Sequence, residues 1–184
     1  MTHNPQNGVI CIGETTGVVS MWAPSCKGVP LLRALCHRGP IFNVSVMEDG
    51  YHMATSGADR TVRLWDLRKL GQSYASIPLQ TASHSVCFSQ KGKLAVAVDR
   101  DILIWDNVIS DATQSSQAPK KYMQHKANSA VKVLRFAPYE DVLGIGHQMG
   151  VSSILVPGSG EAKFDITEVN LFAGSNSRAN TLVN

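Results

Sequence analysis

Apolar and polar positions alternate along this chain in short runs, each closed by turn residues. NVSVM (43–47), YHMATSG (51–57), TVRLWD (61–66), VCFSQ (86–90), KLAVAVD (93–99) and DILIWD (101–106) are all of strand length, with Gly, Asp or Ser at their margins. A period of two over such lengths predicts β-strands, and β-branched residues fill them. The 3.6-residue recurrence of an amphipathic helix is scarce. The expectation is an all-β protein.

The strands fall into a longer repeat marked by tryptophan. VVSMW ends at Trp22, TVRLW at Trp65 and ILIW at Trp105, at spacings of 43 and 40 residues. Asp59 and Asp99 each precede a tryptophan by six positions, and Asp66 and Asp106 each follow one. His37 lies 28 residues ahead of Trp65, so HRGPIFNVSVMEDGYHMATSGADRTVRLWD reads as one complete unit. A period of about 40–45 residues with a terminal Trp-Asp resembles the WD repeat, whose units are the four-stranded blades of a β-propeller. The resemblance implies a buried hydrogen-bonded network of His37, Ser56, Asp59 and Trp65. Such a network satisfies polar groups that burial would otherwise strand.

The other units keep fewer markers. The third has Asp99 and Trp105 without a matching histidine, and the first has Trp22 with Thr16 at the aspartate position. In the fourth, VLGIGHQMGVSSILV, Gly146 and Gly150 stand to Leu155 as Gly13 and Gly17 stand to Trp22. That frame puts Leu155 at the tryptophan position and Met149 at the aspartate position. The opening HNPQNGVICIG reads as a turn and second strand of a unit lacking its first strand. The fold expected is therefore a partial WD-repeat β-propeller of about three and a half blades out of seven. Open ends expose strand edges, which points to part of a longer protein or a truncated product. The boundaries expected are a propeller over 1–156, a C-terminal extension over 157–172 and a disordered tail over 173–184.

Composition adds little to this. The chain has 184 residues, 43% hydrophobic and 17% charged, as one globular core requires. No apolar run approaches the roughly 18 residues of a membrane helix. Cys11, Cys26, Cys36 and Cys87 lack metal-ligand or disulfide-framework spacing, which suggests reduced thiols inside a cell. The N-terminus has neither the basic nor the apolar region of a secretory signal. A net charge of +3 and a pI near 8.7 are compatible with an acidic partner such as RNA.

Candidate chemistry is thin. GIGHQMG (144–150) misplaces the third glycine of a dinucleotide loop and runs into a strand instead of a helix. In VPGSGEAKFD (156–165) the glycines flank Ser159 directly, unlike a nucleophile elbow, and no Gly-Lys-Ser/Thr follows. Pro157-Gly158 reads there as a strand-ending turn. His37, Ser56 and Asp59 are better placed for a structural network than for a catalytic triad. No metal site and no cofactor are expected. The one uneven charge window lies between Asp111 and Glu140. It holds Lys120, Lys121, Lys126, Lys132 and Arg135 with no acidic residue, and these are the candidate RNA or partner contacts.

Three stretches carry a narrower resemblance. HNPQNGVICIGETTGVVSMWAP, KKYMQHKANSAVKVLRFAPYEDVLGIGHQMGVSSILVPGSGEAKFD and EVNLF are similar to the nucleolar WD-repeat family of the small-subunit processome. That family is associated with the U3 small nucleolar RNA and has a characteristic C-terminal domain. The similarity runs from His3 to Phe172, and its strongest marks are Asn4-Pro5, FAPYEDVLGIGH and VPGSGEAKFD. It implies a non-enzymatic scaffold in pre-rRNA processing towards 18S rRNA. The implied partners are processome proteins, pre-rRNA and the U3 particle, with no membrane and no small-molecule substrate, and the implied location is the nucleolus. The alternative reading is a WD-repeat adaptor unrelated to ribosome assembly. Family members start with earlier blades and continue past Phe172 as a basic helical segment. This chain instead ends AGSNSRANTLVN.

Overall fold

The computed structural model describes residues 1–26, 28–106, 108 and 119–161. The expected disordered tail, most of the expected extension and nearly all of the polar insertion at 110–119 lie outside them. Among the described residues there are fifteen strands in four antiparallel sheets. The first sheet holds β1 (Thr2–His3), β2 (Ile10–Gly13), β3 (Val18–Trp22) and β4 (Leu32–Leu35). The second holds β5 (Ile41–Val46), β6 (His52–Gly57), β7 (Thr61–Asp66) and β8 (Ala75–Pro78). The third holds β9 (Ser85–Phe88), β10 (Leu94–Val98), β11 (Asp101–Asp106) and β12 (Lys120–Lys126). The fourth holds β13 (Val131–Phe136), β14 (Val142–His147) and β15 (Gly150–Leu155).

Each sheet is a meander in which consecutive strands pair, and contacts between the innermost strands β5, β9 and β13 set the sheets side by side. This is propeller architecture, an open arc of blades. One expectation needs correcting. The first unit does have an inner strand: Thr2 and His3 pair with Cys11 and Ile10. The incomplete sheet among the described residues is the fourth, with three strands.

Alternation within the strands is what stacks the blades. Cys11, Val19 and Met21 of the first sheet meet Val44, Met53 and Trp65 of the second. Ala54, Val62 and Leu64 on the opposite face of the second meet Leu94, Val96 and Trp105 of the third. Ala95, Ala97, Ile102 and Ile104 then meet Leu134, Leu143 and Ile145 of the fourth. Both faces of β6 and β10 are buried, so these strands read as nearly continuous apolar or small-residue runs. Burying a side chain such as Ile104 or Leu143 contributes about 1.5–3 kcal/mol, so three such interfaces carry the arc.

Register corrects the reading of the fourth unit. Trp105 pairs with Leu94, four residues past the start of β11, whose turn from β10 spans two residues. Gln148 and Met149 make an equally short turn between β14 and β15, and the residue four past Gly150 is Ile154. Ile154 packs on the core beside Leu143, whereas Leu155 is 71% exposed. The longer connection from β2 to β3 had put the frame one residue out. A slip of one residue exchanges the faces of a strand.

Candidate functional site

Two constellations organise the polar chemistry of the described residues. The first is the network of the second blade. His37 leaves β4 in the loop to β5 and is buried against β6. Its Nδ1 lies 2.9 and 3.0 Å from the two carboxylate oxygens of Asp59, and its Nε2 lies 2.8 Å from Thr55 Oγ1. Trp65 Nε1 donates to the same hydroxyl at 2.9 Å. The direction of the line follows from the donors. The indole N–H can only donate, so Thr55 accepts from Trp65; with the imidazole in the tautomer that carries its proton on Nδ1, that N–H donates to Asp59 and Nε2 accepts from the Thr55 hydroxyl, which also lies 3.5 Å from Arg63 O.

Asp59 also accepts from the Thr61 hydroxyl at 2.9 Å and the Thr61 N–H at 3.3 Å. Burial pushes its carboxyl up, but the bonds from His37 and Thr61 outweigh that and hold it below the ordinary carboxylate value. Gly57 makes the room: a Cβ there would sit 2.6 Å from the His37 ring.

His37, Asp59 and Trp65 are thus brought together, while Ser56 is not part of the line. Ser56 Oγ is buried without a hydrogen-bond partner, and Thr55 supplies the hydroxyl. The reason is strand parity. Thr55 lies two residues beyond Met53, which pairs with Trp65, so both share the tryptophan's face, and Ser56 points to the other.

The other markers are placed differently. In the third blade Val96 takes the place of Thr55, two residues beyond Leu94, and Trp105 packs in the same apolar cluster. Asp99 holds the β10–β11 turn with a φ of 54° and accepts the Val131 N–H through its carbonyl. Trp22 donates to Ser20 Oγ at 3.0 Å on the outer face of the first sheet.

The second constellation closes around VPGSGE. The Asp141 carboxylate accepts the backbone N–H groups of Gly158, Ser159 and Gly160 at 3.0, 2.8 and 2.7 Å. Its own carbonyl accepts Val156 N–H at 2.8 Å. The bonds from Gly160 and Gly158 lead in holding the carboxyl below its ordinary value. Gln90 Oε1, in the turn after β9, accepts Tyr139 N–H at 2.6 Å and Glu161 N–H at 3.3 Å. Lys91 N–H reaches Ser159 O, and Tyr122 O–H reaches Pro157 O. A Cβ on Gly160 would lie 2.6 Å from the Glu140 backbone. Ser159 Oγ is buried and makes no hydrogen bond.

The glycine-serine-glycine turn is therefore a cradle of N–H groups filled by the protein's own carboxylate. Sequence reasoning placed the turn correctly and missed Asp141, which lies 17 residues upstream. A matching clasp ties the first blade to the second. Buried Asn4 donates to Gly50 O at 2.8 Å and accepts Gln6 N–H at 2.9 Å.

The candidate contact residues lie on two strands. Lys120, Lys121 and Lys126 lie on β12, the outermost strand of the third blade, whereas Lys132 and Arg135 lie on β13, the innermost strand of the fourth. All five are exposed. Lysines along an outer strand also protect a free sheet edge from stray pairing. Tyr122, between them, is engaged by Lys93, whose Nζ sits 4.0 Å from its ring centre. Among the described residues no group of three His, Cys, Asp or Glu is arranged to hold a metal, and no helix is long and apolar enough to cross a membrane.

The sheets and the Trp65–His37 line define an open, partial WD-repeat propeller. A WD domain, G-beta repeat model matches residues 28–66, and a BING4CT (NUC141) domain model matches residues 121–184. U3 small nucleolar RNA-associated protein 7 of Saccharomyces cerevisiae is 36% identical over 189 residues, covering 97% of this chain and 34% of its own length. WD repeat-containing protein 46 of Homo sapiens is 39% identical over 178 residues, covering 97% and 29%. The chain belongs to the WD-repeat family that carries a BING4CT domain, and it spans about a third of the length of the curated relatives it matches. Among solved structures, a chain of the crystal structure of the mitotic checkpoint complex aligns with a TM-score of 0.68 over 85% of this chain and 48% of that one. At 19% identity that likeness concerns the fold alone.

Proposed function

We propose that this chain is a non-catalytic scaffold in small ribosomal subunit assembly, acting in the processing of pre-rRNA towards 18S rRNA. The observation that carries the reading is the extent of the likeness. Identity of 36–39% continues over 97% of the chain, far beyond the Trp-Asp positions that any WD repeat shares. One of those relatives is named for its association with the U3 small nucleolar RNA. The Asn4 clasp and the Asp141 cradle give structural roles to the stretches that mark the family, and both roles hold blades together instead of performing chemistry.

The partners in this reading are processome proteins and pre-rRNA or the U3 particle, and the location is the nucleolus. The propeller occupies residues 1–156, and 157–172 begin the C-terminal extension. Lys120, Lys121 and Lys126 on one strand, and Lys132 with Arg135 on another, are two separate candidate contacts for phosphates or acidic partner segments. Affinity purification of the tagged protein tests the reading. Recovery of U3 RNA, pre-rRNA and processome proteins is the expected result. Recovery of protein partners alone, insensitive to ribonuclease, would make it an adaptor of another kind.

A further inference from the structure

The first and second blades splay at their outer ends around a cleft of about 800 Å³. That is within the size range of ligand-binding clefts. Leu32 and Ala34 of β4 form one side, and Arg63, Trp65, Leu70 and Ser76 form the other.

Two independent features point to its occupant. The first is the edge. Among the described residues β4 pairs only with β3, so the N–H and C=O groups of its outer side are open to another strand. The edge is also apolar, with Leu31, Leu32 and Leu35 all exposed along it. The corresponding edge of the third blade, β12, carries three lysines instead. The second feature is Arg63. Its Nε is shut from solvent without a hydrogen-bond partner. Its Nη2 approaches Asp59 only to 3.7 Å, and that carboxylate already serves His37 and Thr61. A guanidinium with an unused donor, in a wall that mixes Trp65 and Leu70 with Gln72 and Ser76, fits a carboxylate, the anion that its planar fork of N–H groups matches.

We propose that the cleft binds an extended segment of a partner protein. The segment adds to the β4 edge as a strand and seats an Asp or Glu side chain on Arg63. Side chains two residues apart on a strand share a face, so the face turned toward the second blade carries the acidic side chain to Arg63, and the other face points away from the cleft. Backbone bonds to the edge supply affinity, and the wall supplies the sequence preference. The proposal rests on the propeller being an interaction platform and is independent of ribosome assembly. Failure to recover U3 RNA with the protein would leave it standing.

The test uses the intact chain and a fluorescein-labelled, end-blocked octapeptide of alternating valine and glutamate, with a valine–lysine peptide as its counterpart. Fluorescence anisotropy is expected to show the glutamate peptide binding about tenfold tighter or more. Arg63→Gln should remove that preference, Leu32→Glu should abolish binding, and Lys132→Glu should change neither. Equal affinity for both peptides, or a preference that survives Arg63→Gln, would overturn the proposal. So would displacement of the peptide by single-stranded RNA, or a dimer in sedimentation velocity that Leu32→Glu dissolves.

Discussion

Trp65 donates its indole N–H to Thr55 Oγ1 over 2.9 Å, and that hydroxyl joins the tryptophan of β7 to His37 in the loop from the preceding blade. Ser56, one residue further on, has a buried hydroxyl with no partner. The two side chains therefore respond differently to removal. Thr55→Val leaves the indole N–H and an imidazole nitrogen unsatisfied and is expected to cost roughly 1–3 kcal/mol in urea unfolding. Asp59→Ala strands the other end of the line at a similar cost. Ser56→Ala is expected to be neutral within about 0.5 kcal/mol or slightly stabilising. Equal losses for Thr55→Val and Ser56→Ala would contradict this direction of the network.

The Asp141 cradle gives a pH signature. Its folded carboxyl sits below the ordinary value of 3.8 because the Gly160 and Gly158 amides hold the ionised form. A depressed folded value means that the contribution is present at neutral pH. It is lost only as the pH falls through that folded value. Hydrogen exchange should show the amides of Gly158, Ser159 and Gly160 protected at neutral pH and unprotected well below pH 3.8. Asp141→Ala, which removes both acceptor oxygens, should expose them already at neutral pH, and Gly160→Ala should do so through a clash with the Glu140 backbone. Protection that persists in Asp141→Ala would show that the turn holds itself.

Because the cations lie on two strands, they can be tested apart. Charge reversal of Lys120, Lys121 and Lys126 together is expected to weaken RNA or particle association and flatten its salt dependence. On a single strand each lost phosphate contact lowers the log–log slope by about 0.7. Lys132→Glu with Arg135→Glu forms the second, separate measurement. A salt slope unchanged by the first set would leave β12 with edge protection as its only role.

The thiols differ by setting. Cys26 is exposed, whereas Cys11 and Cys36 are buried, and burial pushes the Cys36 thiol up to about 11. A thiol-reactive dye added to the native protein should therefore modify Cys26 first, and Cys11 and Cys36 only on unfolding. Rapid native labelling of Cys36 would mean that the first two blades separate readily.

Much of this fold could be read before any coordinates, because its signals are local. Strand alternation and the spacing of Trp22, Trp65 and Trp105 suffice for a meander of blades. Two of the misreadings came from parity. Thr55 and Ser56 are chemically interchangeable in a pattern, and only the pairing of Met53 with Trp65 decides which faces the indole. Leu155 and Ile154 are confused by a difference in turn length between units. The Asp141 cradle and the Asn4–Gly50 clasp join positions 17 to 46 residues apart with no repeat to announce them. The cleft beside Arg63 comes from the splay between blades, which no single strand encodes.

The central claim is participation in small-subunit assembly, and the most direct measurement is rRNA processing after rapid depletion of the protein in its own cells. Pulse-labelled RNA should show precursors of 18S rRNA accumulating and mature 18S falling, while the large-subunit rRNAs are still made at their usual rate. Unchanged 18S production after complete depletion would contradict the claim.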